Sequence, residues 1–321
     1  MGAGILNQVR TACSAVAERA KHVHITYAAI GPYAASLPLE QIVQPTHDPG
    51  THYLSHGDDT VAFFLTLDAI NFGSGYFPQL HKRPGLSGYF TIASSLKDYF
   101  ESHGPLTALQ LTRLTPRECS RIFGQESCNV PIAELMQLFA NALNDLGSYL
   151  LQGFDGSFVG LVESAGASVE CLGELLIEMP YFQDVSRYGD LEVPFYKRAQ
   201  ITSADLWIAF DGQGPGRFED IHRLTIFADN LVPHVLRVDG ILHYDEDLAG
   251  RIDGGELIPA GSAEEVELRA CAVHAVELMS AELRTSGHNV PPMKLDYLLW
   301  NRGQEPYYKA RPRHRTRTVY Y

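Results

Sequence analysis

Pro131-Ile-Ala-Glu-Leu-Met-Gln-Leu-Phe-Ala-Asn-Ala-Leu-Asn-Asp-Leu-Gly-Ser-Tyr-Leu-Leu-Gln152 sets Ile132, Leu135, Met136, Phe139, Leu143, Leu146 and Leu150 at helical three- and four-residue spacing. A half-buried strand would instead alternate at every second residue. Pro131 suits the first turn, where its missing N–H has no helical partner to lose. The stretch predicts an amphipathic helix over 131–152, and similar signals lie on either side. Thr115-Pro116-Arg117-Glu118 is a capping box, in which the Thr115 hydroxyl and the Glu118 carboxylate satisfy free amides at a helix start. Ser262-Ala263-Glu264-Glu265 repeats the device and opens a segment running to about Arg284. There Val266, Ala270, Val273 and Val276 form a stripe that Leu268, Cys271, Ala275 and Leu278 widen, as in a helix buried on most sides. Strand signals are weaker: Leu191–Tyr196 and the arginine-rich tail each read as short extended pieces. The predicted fold class is mainly α, with minor short strands.

The chain has 321 residues, 45% of them hydrophobic, enough for a large core. Internal repeats and low-complexity segments are absent from the sequence, and Gly and Pro are scattered as loop punctuation, so one continuous domain over residues 1–321 is expected. Val61-Ala62-Phe63-Phe64-Leu65 is too short to cross a bilayer, and the N-terminus lacks a signal-peptide layout. The expectation is a cytoplasmic monomer with no membrane partner. Cys13, Cys119, Cys128, Cys171 and Cys271 are odd in number and never form a C-x-x-C pair. Reduced, mostly buried thiols are expected rather than a disulfide framework or a zinc site.

The net charge of −13 opposes a large footprint on a nucleic-acid backbone. Yet five bases, Lys309, Arg311, Arg313, Arg315 and Arg317, fall in the last thirteen residues, which hold no Asp or Glu. In an extended chain the four alternate arginines share one face. That face either binds a phosphate or packs along the acidic body.

Three motifs point to chemistry without supplying it. Gly212-Gln213-Gly214-Pro215-Gly216 lacks the spacing of a phosphate loop, and Pro215 removes a backbone donor, so a surface turn is expected. His52 and His56 are four apart but have no supporting carboxylate pattern for a metal. Gly73-Ser74-Gly75 is too tight for a nucleophile elbow. Neither metal nor cofactor is expected.

Six segments carry a resemblance: Leu67-Asp68-Ala69-Ile70-Asn71-Phe72, Ser87-Gly88-Tyr89-Phe90, Phe195-Tyr196-Lys197-Arg198-Ala199-Gln200, Phe227-Ala228-Asp229, Leu295-Asp296-Tyr297-Leu298-Leu299-Trp300 and Arg317-Thr318-Val319-Tyr320-Tyr321. In that order, from about residue 60 onward, they resemble the queuosine salvage proteins, with residues 1–55 a divergent N-terminal part. The resemblance implies a helical fold similar to helix-hairpin-helix DNA glycosylases. It also implies hydrolysis of the N-glycosidic bond of queuosine 5′-phosphate to queuine and ribose 5-phosphate, without metal or cofactor, on a small molecule and not on polymeric nucleic acid. Asp229 matches the family's catalytic aspartate. The family favours Tyr and then Arg or Lys after it; here Asn230 and Leu231 follow, before the matching Val232-Pro233.

Chemistry asks independently for such a carboxylate. Breaking the bond from C1′ to nitrogen develops an oxocarbenium-like cation, which a preorganised anion stabilises. The plain alternative is an aspartate that caps a helix after Ala228. Queuine is a 7-deazaguanine and has carbon where purines accept a departing proton, so donors along the base edge and an aromatic slot are needed. Asn71, Phe72, Asp296, Tyr297 and Trp300 suit that slot in type, although Phe72 and Trp300 equally suit a core. Lys197 is the candidate for the 5′-phosphate, with a hydroxyl from Tyr89; its plain alternative is a surface salt bridge. Rival readings are a nucleic-acid base-excision glycosylase and a non-catalytic nucleotide- or queuine-binding protein.

Overall fold

The computed structural model describes residues 4–42, 45–126 and 129–321. Its helices are α1 (Ile5–Arg19), α2 (Tyr27–Ser36), α3 (Asp58–Ala69), α4 (Gly88–His103), α5 (Ala108–Leu111), α6 (Pro116–Ile122), α7 (Val130–Gly153) and α8 (Phe158–Ser164). There follow α9 (Val169–Leu176), α10 (Lys197–Ala209), α11 (Val232–Val238), α12 (Glu246–Asp253), α13 (Ala263–Thr285), α14 (Pro292–Arg302) and α15 (Pro306–Lys309). The strands are β1 (Val23–Ile25), β2 (Val185–Tyr188), β3 (Leu191–Pro194) and β4 (Leu242–Tyr244), paired antiparallel as β1 with β4 and β2 with β3. The fold is mainly α with a few short strands, as expected.

Helix α7 matches the helix predicted over 131–152, and all seven residues of its predicted stripe are buried. Asn129 caps it, accepting from Ile132 N at 3.2 Å. The Thr115–Glu118 capping box is formed in both directions. The second box is formed only in half: Ser262 accepts from Glu265 N, but the Glu265 carboxylate turns to Gly261 N at 3.1 Å. Helix α13 is buried on most sides as predicted and packs against α1 and α2, β1, α11 and α14. Glu267 in its interior accepts amide hydrogens from Lys21, His22 and Val23 and the hydroxyl of Tyr188. One buried carboxylate thereby fixes the entry to β1, because unpaired amides in the interior would be costly.

Two extended pieces are shorter than predicted. Strand β3 ends at Pro194, and Tyr196 takes a left-handed conformation, φ 49 and ψ 40, that turns the chain into α10. The tail makes only an isolated bridge, Leu257 with Arg315. Its alternation is real, with His314, Thr316 and Thr318 buried, but the four arginines do not work as one face. Arg311 lies over Tyr307, Arg317 over Tyr76, Arg315 donates to Gly255 O, and Arg313 lines a cavity. Each guanidinium meets a different neighbour because the tail crosses several elements. Gly212–Gly216 forms a short turn, with Gly212 and Gly214 at positive φ. Cys13, Cys119 and Cys271 are buried and free, Cys171 is exposed, and Cys128 lies outside the described residues. Among the described residues no helix is long and apolar enough to cross a membrane.

At the centre, Arg269 of α13 donates from both terminal nitrogens to Asp184, at 2.9 and 2.6 Å, and from Nε to Ala228 O at 2.9 Å. Asp184 also accepts from Lys197 N, the first amide of α10, at 3.1 Å. The pair is dry, so removing one partner leaves an uncompensated buried charge. Asp184→Ala is expected to cost about 3–5 kcal/mol of stability, measured as a lowered urea midpoint; a midpoint within error of wild type would contradict this.

Candidate active site

A cavity of about 530 Å³ opens among the N-terminal loop, the segment after α3, the starts of α4 and α10, the segment before α11, and α14. Asp229, Asn71, Phe72, Tyr89, Lys197, Asp296 and Trp300, seven residues scattered over the sequence, all line it.

Asp229 sits in a segment held residue by residue. Phe227 N donates to Asp296 Oδ1 at 2.9 Å, Ala228 O accepts from Arg269, and Asp229 Oδ1 accepts from Leu231 N at 2.7 Å and Val232 N at 3.3 Å. The side chain thus binds the backbone amides at the start of α11 and also lines the cavity. Capping occupies one oxygen and stops the carboxylate from rotating; Oδ2 receives no hydrogen bond from the described residues. The nearby charges that feel Asp229 are Lys197, Arg313 and Asp296.

Asp296 is buried, and desolvation followed by the charge of Asp229 pushes its acid well above the usual carboxylate range. The direction favours a protonated carboxyl, which donates as well as accepts.

Lys197 is 5% exposed, so it is no surface ion-pair residue. Its ammonium donates to Asn71 O and Asn71 Oδ1, both at 3.0 Å, and Asn71 Nδ2 donates to Asp68 at 3.2 Å. Two of the three ammonium hydrogens are spent in ordering Asn71. Arg198 completes that wall: it donates to the Ala69 carbonyl at the end of α3 and lies 5.0 Å over the Phe72 ring. Phe72, 2% exposed, packs edge-to-face on Phe139 and presents only part of its ring, so it serves core and cavity at once. Trp300 is half-buried and packs edge-on to Tyr89 and Phe90.

Several lining residues were not singled out by the sequence reading. His52 was weighed only as a metal ligand; it is buried, off any helix, and its Nε2 lies 3.1 Å from the Tyr89 hydroxyl. His47 stacks beside it at 4.7 Å, and burial pushes both rings down to about 4, so both are neutral at physiological pH. His56 points away and stacks on Tyr53. Among the described residues no group of three or more His, Cys, Asp and Glu is placed to hold a metal.

Asp205 was also missed, although a carboxylate inside the apolar run Ile201–Phe210 is a signal of burial with purpose. It accepts from the Tyr297 hydroxyl at 2.8 Å, and Asp68 of α3 lies near enough for the two acids to influence each other. The Oδ2 atoms of both are buried without a hydrogen-bond partner among the described residues. Two acceptor-only carboxylates cannot face each other in a dry interior, so the pair holds a proton. Burial pushes Asp205 up to about 7 and Asp68 well above its ordinary range.

The native state keeps a proton that the unfolded chain releases, so this pair favours folding at low pH. Stability is lost as pH rises from near 3.8 to about 7. Asp205→Asn keeps the acceptor for Tyr297, supplies a donor for Asp68 and removes the titration. Its melting temperature should gain more on wild type at pH 8 than at pH 5; an equal difference at both would show that Asp205 does not titrate in this window.

The helical architecture thus surrounds an aromatic, carboxylate-lined cavity. Residues 51–321 match the family described as queuosine salvage protein. A protein of Sphaerobacter thermophilus is 37% identical over 318 residues, covering 98% of this chain and 97% of its own length. One from Mus musculus is 34% identical over 245 residues, 73% and 72% of the two chains, and one from Dictyostelium discoideum 33% over 264, 82% and 78%. All three are named queuosine 5′-phosphate N-glycosylase/hydrolase. The chain belongs to the queuosine salvage protein family.

Proposed function

We propose that this protein hydrolyses queuosine 5′-phosphate, releasing queuine and ribose 5-phosphate. The observation that carries the reading is the Asp229 carboxylate: one oxygen is locked by two backbone amides and the other is unclaimed at the cavity wall. Fixed charge of this kind needs no reorganisation when the ribose becomes cationic. The C1′–N bond breaks with its electrons going to the base; Asp229 stabilises the cation or adds to it as an ester that water then displaces, and water supplies the new hydroxyl at C1′ while its released proton restores the acid that protonated the base. The departing base takes a proton at a ring nitrogen or its exocyclic oxygen, for which the protonated Asp296 is a suitable donor, while the Tyr297 hydroxyl is held by Asp205. Lys197 adds its third N–H to the substrate, and Tyr89, Trp300 and Phe72 form the slot for the ring. Asn71, its amide already shared between Lys197 and Asp68, closes the edge of the site.

The acid surplus of the chain favours a free nucleotide over a polynucleotide. The protein acts as a cytoplasmic monomer and a single domain of the helix-hairpin-helix glycosylase type. Packing of α1 on α13 supports the inclusion of the divergent N-terminal part in that domain.

Asp229→Asn retains the cap acceptor and loses the charge. It should bind queuosine 5′-phosphate in calorimetry while ribose 5-phosphate release falls by roughly a hundred- to a thousandfold. Turnover near that of wild type would take Asp229 out of the chemistry, and wild-type protein that binds the nucleotide without releasing the base would make the protein a carrier.

A further inference from the structure

The proposed substrate carries a phosphate, and Lys197, the first candidate for it, spends most of its donors on Asn71. Arg313 is in the opposite condition. It lines the cavity, yet no described residue forms an ion pair or hydrogen bond with its guanidinium, and the carboxylate whose charge reaches it is Asp229. A half-buried guanidinium that lines a cavity with its five donors unpaired within the protein is an incomplete arrangement.

One neighbour is incomplete in a complementary way. Ser74 lines the same cavity, and its buried hydroxyl oxygen has no partner. A cation and a hydroxyl on the wall of one cavity, neither with a partner among the described residues, are completed by an anion.

The placement is rigid. Thr316 O lies 2.3 Å from where a side-chain carbon on Gly75 would stand, so the Gly73–Gly75 loop presses flat on the tail and brings Ser74 beside it. Gly73 N donates to Tyr321 O at 3.0 Å. On the other side His314 O accepts from Asn230 Nδ2 at 3.2 Å, which ties the residue after Arg313 to the residue after Asp229. The arginine is thereby fixed relative to the catalytic carboxylate, as C5′ of a ribose is fixed relative to C1′.

We propose that Arg313, assisted by the Ser74 hydroxyl, is the anchor for the 5′-phosphate and sets the preference for nucleotide over nucleoside, while Lys197 serves the reacting end of the substrate. This rests on the hydrolase reading above. Bidentate guanidinium–phosphate contacts are strong and directional.

The test compares kcat/KM for queuosine 5′-phosphate with that for queuosine in wild type, Arg313→Ala, Arg313→Lys, Ser74→Ala and Lys197→Ala. The nucleotide-over-nucleoside ratio should fall roughly 10- to 100-fold in Arg313→Ala. It should recover partly in Arg313→Lys, fall less in Ser74→Ala, and stay at the wild-type value in Lys197→Ala, where both substrates suffer together. Product inhibition by ribose 5-phosphate should weaken in parallel in Arg313→Ala. An unchanged ratio and unchanged product inhibition in Arg313→Ala would overturn the assignment, as would a ratio lost in Lys197→Ala instead. If wild type releases base from neither substrate, the hydrolase reading fails rather than the placement of the phosphate. Turnover of the nucleoside by each variant verifies folding within the same experiment.

Discussion

The bidentate pair between Arg269 and Asp184 is the constraint to which the walls of the cavity are tied. Asp184 holds the first amide of α10, and with it Lys197; Arg269 holds the Ala228 carbonyl, and with it Asp229. The guanidinium plane lies 3.9 Å from the centre of the Phe195 ring and 4.6 Å from that of Tyr321, so the tail closes over the same cation. A buried ion pair is seldom a better stabiliser than well-packed apolar residues of equal volume. What it supplies here is register: four segments distant in sequence meet at one charge, in one relative arrangement.

Around that frame the protein keeps groups that its stability alone would discard. Asp68, Asp205 and Asp296 are buried acids held toward the protonated form, and His47 and His52 are buried toward the neutral form. A carboxyl that retains its proton near neutrality is a donor, whereas the same side chain on a surface only accepts. The apolar shell of Phe64, Phe72 and Phe227 therefore has a chemical role as well as a packing one. It holds these aspartates toward the protonated form, in which they donate as well as accept.

Helices α7 and α13 were legible because periodicity reports burial directly, and Ile132 to Leu150 bury one face as their spacing says. Strand lengths were less legible. Tyr196 continues an extended-looking run, but the turn into α10 and its hydrogen bond to Asp184 O override local preference. In the site, Asp229, Asn71, Lys197 and Asp296 stood out through a family resemblance, and each lines the cavity. Asp205, His47 and Ser74 did not, because their significance lies in what faces them across the fold. A carboxylate becomes a proton carrier only when Asp68 approaches it from another helix, and no spacing along the chain encodes that approach. At Asp229 two alternatives that compete on paper, a carboxylate bound to backbone amides and one that lines the cavity, meet in one side chain.

The acidic surplus of the body also bears on how a dianionic guest arrives. With a net charge of −13, the approach of an anion to the cavity runs uphill through a field of like sign. Dissolved ions flatten that hill, since the Debye length is about 8 Å at physiological ionic strength. Salt therefore eases the approach of an anion to this acidic body, the reverse of the electrostatics by which counterion release drives proteins onto nucleic acids.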